Sequence, residues 1–399
     1  MRVALVNNFF PPRAGGSAHL TERLAKRLAA QGVEVLVLTA SFGGAPAHEH
    51  VDGYEVVRLP SREAPKSKLT MRFDVSYVTS PANVRRVFSI LDGFGPDVIH
   101  QHGQFFDLTF LTSLYARRRD VPTVLSVHTR LEHTSRAHDL VLRAGDVTLV
   151  RGFIALSRPT VVAMDRHMRD YIRRRYAVPP ERIVPIPVGI EPTDVAGDAA
   201  RARERLGLGD RPLVVSVGHV IAVRDRLALV EAMPALARLV PDAAVVVVGN
   251  VYDHRFLRRA EELGVRDALV LTGGVPLAEV ADLLAAAAVE VHELQGIGLG
   301  TATLEAMAAR VPVVAVAPVD NFLGFELRPW QDLALVLPDD PDALAGAIHR
   351  LVEDRALAEQ LAVGQEKLVR ERFTMEVVTA AHVELYERVS AGRGGRSGA

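Results

Sequence analysis

Gly298 and Gly300 stand directly ahead of Thr301, and Glu305 follows within Thr303-Leu304-Glu305-Ala306-Met307-Ala308. Glycines at a helix start let backbone amides come close to a phosphate, and the helix N-terminus itself attracts anions. A carboxylate about one turn into such a helix can accept hydrogen bonds from two vicinal hydroxyls. A solvated carboxylate on an ordinary helix is the plainer alternative for Glu305. Gly15-Gly16 repeats the theme in a loop that leads into a helix. It is open to a diphosphate or an acceptor, and equally to being a simple turn. Two histidines, His128 and His102, follow apolar runs at 123–127 and 98–100, and an imidazole at a strand end can hydrogen-bond a hydroxyl and organise a site. His100 and His133 are weaker candidates, since a lone histidine is more often a satisfied or exposed residue.

These groups need a scaffold that gathers them at strand ends, and the hydrophobic pattern supplies one. Residues 2–7 read as a strand, 11–16 as a loop, and Leu20, Leu24 and Leu28 recur at helical spacing until Gly32. Further strand-like runs lie at 33–39, 54–59, 97–100 and 123–128, separated by enough chain for right-handed crossovers. After Pro187-Val188-Gly189-Ile190-Glu191-Pro192 and an Ala- and Arg-rich stretch at 198–206, the pattern restarts at Pro212. Strands are expected at 213–217, 244–248, 268–272, 289–291 and 312–316, alternating with helices near 226–239, 254–263, 277–287 and 302–309. The fold class is α/β, with two Rossmann-like, doubly wound parallel-sheet halves, and ligands in such sheets bind beyond the carboxyl ends of the strands.

With these pieces placed, the chain resembles the retaining glycosyltransferases of family four, which have the GT-B fold. The resemblance rests on Asn7-Asn8-Phe9-Phe10-Pro11-Pro12 with Gly15-Gly16, on Ile186-Pro187-Val188-Gly189, and on Ile297-Gly298-Leu299-Gly300 followed by Glu305. It implies two Rossmann-like domains facing across a cleft: an acceptor-binding domain at 1–192 and a nucleotide-sugar-binding domain at 193–372. A last helix at 373–391 would return to the first domain, leaving a flexible tail at 392–399. The resemblance further implies that Gly15, Gly16, Gly218, His219, Arg224, Ile297, Gly298, Leu299, Gly300, Thr301 and Glu305 bind the donor, with Glu305 on the ribose. His128, Arg224 and His102 become the catalytic candidates. His128 matches a histidine that faces the reacting sugar, and Arg224 matches a cation that neutralises the leaving diphosphate.

The family's motifs are also broken here. Its first glutamate, eight positions before the second, is Ile297. Its arginine and lysine after the strand at 213–217 read His219 and Arg224. Arg224 keeps a permanent charge and can bind phosphate in a fork, whereas a neutral His219 supplies one donor. Arg226 is the alternative phosphate ligand. Isoleucine cannot accept the hydrogen bonds that the family's glutamate takes from the donor sugar, and a buried hydroxyl left unpaired costs about 1–3 kcal/mol. Either the donor sugar is deoxy or otherwise modified, or Glu293 compensates. Asp165, Val188 and Asp320-Asn321-Phe322 replace a serine, an asparagine and a glycine pair; Asn321 retains the capacity to hydrogen-bond a sugar.

With 399 residues, a net charge of −1, 49% hydrophobic residues and no cysteine, the chain has room for two domains and gives no electrostatic case for nucleic acid. The lack of cysteine excludes disulfides, thiol catalysis and cysteine-type zinc sites. No secretory or membrane-spanning pattern is present, so a cytoplasmic location is expected. The expected activity is retaining, metal-independent transfer of a sugar from a nucleotide diphosphate donor to an acceptor hydroxyl, with no cofactor beyond that co-substrate. A small-molecule acceptor in natural-product (secondary-metabolite) biosynthesis and a cell-surface glycan both fit. One alternative is a degenerate relative that binds a nucleotide sugar or a partner enzyme without transfer; Ile297 and His219 favour it, while Glu305, Gly298, Gly300 and Arg224 oppose it. A transferase that joins cyclitols is another. The basic runs 117–119 and 173–175 would mark a peripheral membrane contact if they are not simply solvated helix faces.

Overall fold

Aliphatic runs buried at nearly every residue become the central strands of two parallel sheets, as expected of strands covered by helices on both faces. The computed structural model describes residues 1–13, 15–63, 76–131, 136–222, 224–291, 294 and 299–394. The chain divides into a first unit, Met1–Pro187 with Met375–Ala399, and a second unit, Val188–Thr374.

The first unit contains strands β1 (Arg2–Val6), β2 (Glu34–Ala40), β3 (His48–Val51), β4 (Tyr54–Leu59), β5 (Arg62–Glu63), β6 (Ser76–Tyr77), β7 (Val98–His102), β8 (Thr123–Ser126), β9 (Thr160–Ala163) and β10 (Ile183–Pro185). Eight of them form one sheet in the order β10-β9-β8-β7-β1-β2-β4-β3, while β5 and β6 pair separately. All pairings in the large sheet are parallel except β3 on β4. The winding reverses at β1, which has β2 on one side and β7 on the other. One face of the sheet packs Val3, Leu5 and Val98 against Leu24 and Leu28 of helix Gly16–Ala30 and against Val378, Leu385 and Tyr386 of helix Met375–Gly394.

In the second unit, β11 (Leu213–Val217), β12 (Ala244–Val248), β13 (Leu269–Gly273), β14 (Val289–Val291), β15 (Val313–Ala315) and β16 (Ala334–Leu335) form a sheet in the order β13-β12-β11-β14-β15-β16. Every pairing is parallel. Here the winding reverses at β11, between β12 and β14. Ligands of doubly wound sheets bind at such reversals, beyond the strands' carboxyl ends. The residues that matter are those just after β1 and β7 in the first unit, and just after β11 and β14 in the second.

Several expectations shift. The second unit begins at Val188 rather than at 193, because Ile190 is buried in its core and its N–H donates to Phe373 O at 2.8 Å. The terminal helix runs on through Gly394, so residues 392–394 are helical and only 395–399 of the expected tail lie outside the described residues. β9 and β10 are too short, four and three residues, to have shown a pattern. β8 stops at Ser126, which leaves His128 in the following loop. Among the described residues no helix is long and apolar enough to cross a membrane.

Candidate functional site

At the end of β11 the backbone itself comes close to its neighbour. Gly218 N–H donates to Val248 O at 2.7 Å and Gly249 N–H to Gly273 O at 2.8 Å. A Cβ added at Gly249, where φ is +132°, would sit 2.6 Å from Gly218 C, so two strand ends can meet here only as bare backbone. The next residue, His219, is exposed, and its Nδ1 accepts from Asn250 N–H at 3.0 Å. A neutral His219 therefore carries its proton on Nε2 and offers that N–H as a donor.

Two arginines two residues apart divide the work of the following loop. Arg226 is 1% exposed, and its guanidinium donates to Arg224 O at 3.0 Å, Asp225 O at 3.3 Å and Gly218 O at 3.2 Å. It is a buried staple that fixes the loop, which removes it as the alternative phosphate ligand. Arg224 is exposed, and its backbone N–H is held by Ile221 O at 2.9 Å. Arg255 braces the same loop by donating to Ala222 O at 3.1 Å and pairing with Asp225 and Asp253 at 3.2 and 2.6 Å. Hydrogen bonding to Arg255 holds the Asp253 carboxyl below its usual range.

The chain leaving β14 reaches the second feature. Gly300 is the N-cap of helix Thr301–Ala308, and among the described residues no side chain caps its first amides. Thr303 and Leu304 point into the core, while Thr301, Ala302 and Glu305 share the half-buried face. Leu299, expected among the donor-binding residues, is 6% exposed and belongs to the hydrophobic core; only its backbone remains for a ligand. Asn321 is fully buried, with its backbone N–H on Pro318 O at 3.0 Å, and both polar atoms of its carboxamide are buried without a hydrogen-bond partner among the described residues. Ile297, Gly298 and Glu293 lie outside the described residues.

In the first unit, Gly15 precedes helix Gly16–Ala30, and a Cβ at Gly15 or Gly16 would meet nothing within 4 Å. The helix start is tied to β1 by Asn7, whose Nδ2 donates to Ser17 O at 3.1 Å and Thr21 Oγ1 at 2.9 Å. Asn8 donates to Asp107 Oδ1 at 2.8 Å, and Asp107 also accepts from Val78 N–H, Thr79 N–H and Thr79 Oγ1 at 2.6, 2.7 and 2.8 Å.

Beside β1, the buried end of β7 reads His100-Gln101-His102 where an aliphatic run would be ordinary, and buried polar side chains are the informative exception in a core. His100 is enclosed: Nδ1 lies 2.6 Å from Tyr386 Oη and Nε2 lies 2.8 Å from Ser126 Oγ. His102 Nδ1 is 3.0 Å from His128 Nε2, with the two rings parallel within 3°. His382 donates Nδ1–H to Val378 O at 2.8 Å, and its ring centre is 5.2 Å from that of His100. Burial lowers the pKa of all four histidines, reinforced at His100, His102 and His128 by neighbouring imidazoles. For His128 and His382 the value falls to about 4, so the cluster is neutral at physiological pH.

Asp165 has a local task instead of a ligand: it N-caps helix Arg166–Tyr176 by accepting from Met168 N–H at 2.6 Å. His133 lies outside the described residues. Sequence reasoning missed Tyr386, His382 and Ser126. The signal available was His382 and Tyr386 four apart on one helix face, too general to interpret without knowing what that face covers.

Residues 14–194 match the Glycosyltransferase Family 4 domain family, and residues 198–367 match Glycosyl transferases group 1. The chain is 29% identical over 333 residues to a GDP-mannose-dependent alpha-(1-6)-phosphatidylinositol monomannoside mannosyltransferase of Mycolicibacterium smegmatis, covering 78% of this chain and 79% of that protein. Among solved structures it is similar to sucrose-phosphate synthase from Thermosynechococcus elongatus, with a TM-score of 0.71 and 22% identity over 98% of this chain and 99% of that one. Anabaena HepE, solved in complex with UDP and glucose, gives a TM-score of 0.70 and 17% identity over 97% and 100% of the two chains.

Proposed function

The chain belongs to the glycosyltransferases of the family-four type with the GT-B fold, and from that membership we propose that it moves a sugar from a nucleoside diphosphate donor to an acceptor hydroxyl with retention of configuration and without a metal. The observation that carries the reading is the reversal point of the second sheet. A glycine-only approach after β11, an exposed Arg224 on a loop stapled by buried Arg226, and a helix start at Gly300-Thr301 all follow its two central strands.

Each part has a role. The amides opening helix Thr301–Ala308 and the Arg224 guanidinium take the diphosphate, His219 adds its Nε2–H, and Glu305 accepts from the ribose hydroxyls. In the reaction the bond from the anomeric carbon to the diphosphate oxygen breaks. The bond to the acceptor oxygen forms on the same face, and the acceptor proton passes to the leaving diphosphate oxygen. Fixed cations and amides that stabilise this developing charge need no metal. His128 is assigned to hydrogen-bonding a sugar hydroxyl. The relatives support the donor class: one is named for GDP-mannose and one was solved with UDP and glucose.

Ile297 narrows the donor further. A side chain that accepts no hydrogen bond disfavours a buried hydroxyl by about 1–3 kcal/mol, so the proposed donor carries a deoxy or otherwise modified sugar. The test is a panel of UDP-, GDP-, TDP- and ADP-sugars, hydroxylated and deoxy, scored for nucleoside diphosphate release and for the anomeric configuration of the product. Turnover with one base, a retained anomer and preference for the modified sugar are expected. Tightest binding of a fully hydroxylated hexose nucleotide would remove the modified-sugar assignment, and turnover with none would leave a non-catalytic binder.

A further inference from the structure

His102 and His128 are joined ring nitrogen to ring nitrogen, and the names of the two atoms matter. A neutral imidazole has one N–H and one acceptor nitrogen. The contact runs from Nδ1 of His102 to Nε2 of His128 at 3.0 Å, and it needs one proton between them. If His102 holds that proton on Nδ1, His128 accepts at Nε2 and carries its own proton on Nδ1. If His128 holds it on Nε2, His102 accepts at Nδ1 and carries its own on Nε2. Mixed tautomers would place two protons or none in the gap.

We infer that His102 is a positioning residue which fixes the tautomer of His128, the two rings always sharing one form, both Nδ1–H or both Nε2–H. The outer nitrogens of the pair, His102 Nε2 and His128 Nδ1, are buried and have no hydrogen-bond partner among the described residues. One of them is always a donor and the other an acceptor. A ligand hydroxyl that donates to His128 Nδ1 selects the Nε2–H form of both rings; one that accepts from it selects the Nδ1–H form. What His128 can read in a substrate is thereby conditional on His102. The substrate side of this inference rests on the glycosyl-transfer reading, whereas the locked tautomer does not.

The surroundings hold the pair in place and leave it uncharged. The His100 ring lies 4.2 Å from that of His102, and His100 is itself tied at both nitrogens to Tyr386 and Ser126. The titratable groups around the pair are His100 from β7, against His102, and His382 from the terminal helix, whose charge would disfavour protonation of both rings; Tyr386 meets His100. Burial lowers the pKa of His102 and His128, which keeps each ring a single donor at neutral pH.

The full chain labelled with ¹⁵N-histidine reports tautomers directly through its ring nitrogen shifts near neutral pH. The expected result is one tautomer shared by His102 and His128. In His102→Phe, whose ring offers His128 Nε2 neither a donor nor an acceptor, the His128 shifts should leave the wild-type tautomer for an exchange-averaged position. Opposite tautomers in the wild type would overturn the inference without need of any variant, as would unchanged His128 shifts in His102→Phe. Stabilisation by UDP or GDP, measured on the same samples, tests the donor-binding reading separately and should not depend on His102.

Discussion

The strand ends of the two units meet the same geometric demand with opposite materials. At the ends of β7 and β8 the first unit gathers the buried side chains of His100, His102 and Ser126 with the half-buried His128, and closes them with Tyr386 and His382 of the terminal helix. After β11, β12 and β14 the second unit shows bare backbone at Gly218 and Gly249, exposed His219 and Arg224, and a helix start at Gly300. Buried imidazoles give fixed orientation at the cost of desolvation, and they stay neutral. Exposed cations and amides suit a charged ligand that brings its own counter-charge. The contrast fits a division in which the second unit takes the diphosphate and the first arranges neutral hydroxyl chemistry.

Acid should separate the two regions most strongly. A histidine whose folded pKa is depressed leaves the unfolded state binding more protons. Its stabilising contribution is complete above the unfolded value, about 6.5, and declines as pH falls from there toward about 4 for His128 and His382. His382 alone accounts for roughly 3 kcal/mol across that window. His128, only half-buried, contributes less, and His100 and His102 act in the same direction. Urea unfolding from about pH 7 down to about pH 4 should show the loss, and His382→Phe should flatten it; an unchanged midpoint throughout would contradict the buried neutral cluster.

The arginine pair offers the next test. Arg226→Met leaves the carbonyls of Gly218, Arg224 and Asp225 without their donor, and a loss of about 3 kcal/mol in folding stability is expected. Arg224→Met should change stability by no more than about 0.5 kcal/mol while weakening diphosphate binding. Equal effects on stability would show that the assignment of staple and ligand is wrong. Gly249→Ala sharpens the backbone side of the comparison: with backbone at 2.6 Å and φ of +132°, it should cost about 1–3 kcal/mol and weaken nucleotide binding with it. Tyr386→Phe removes one hydrogen bond to His100 for about 1 kcal/mol, read as a lowered thermal midpoint.

The two regions also differed in how much the sequence could say. The strands after Pro212 were legible because short, unbroken aliphatic runs such as Ala244–Val248 alternate with helical spacing, the pattern of buried parallel strands. The helix start after Gly300 was legible because glycine spacing constrains the backbone locally. The histidine cluster was visible only as separate residues, since Tyr386 reaches His100 across 286 positions and no local pattern encodes that contact. Arg224 was preferred over Arg226 only through the resemblance, for a similar reason. Two positions apart, either could face outward, and the choice is made by the carbonyls of Gly218 and its neighbours, which only the folded loop brings together. Asp165 looked like an altered ligand because its capping bond to Met168 depends on where the helix starts.

The most direct measurement is a thermal-shift series with UDP, GDP, TDP and ADP on the wild type, Glu305→Ala and His128→Ala. A ligand at a hundred times its Kd stabilises by about 2.7 kcal/mol, and losing hydrogen bonds from a charged acceptor should remove about 1.5–3 kcal/mol of affinity. One diphosphate is predicted to raise the midpoint of the wild type and of His128→Ala alike, and to lose most of that effect in Glu305→Ala. A shift that survives in Glu305→Ala, or that no diphosphate produces in the wild type, would contradict the placement of donor binding in the second unit.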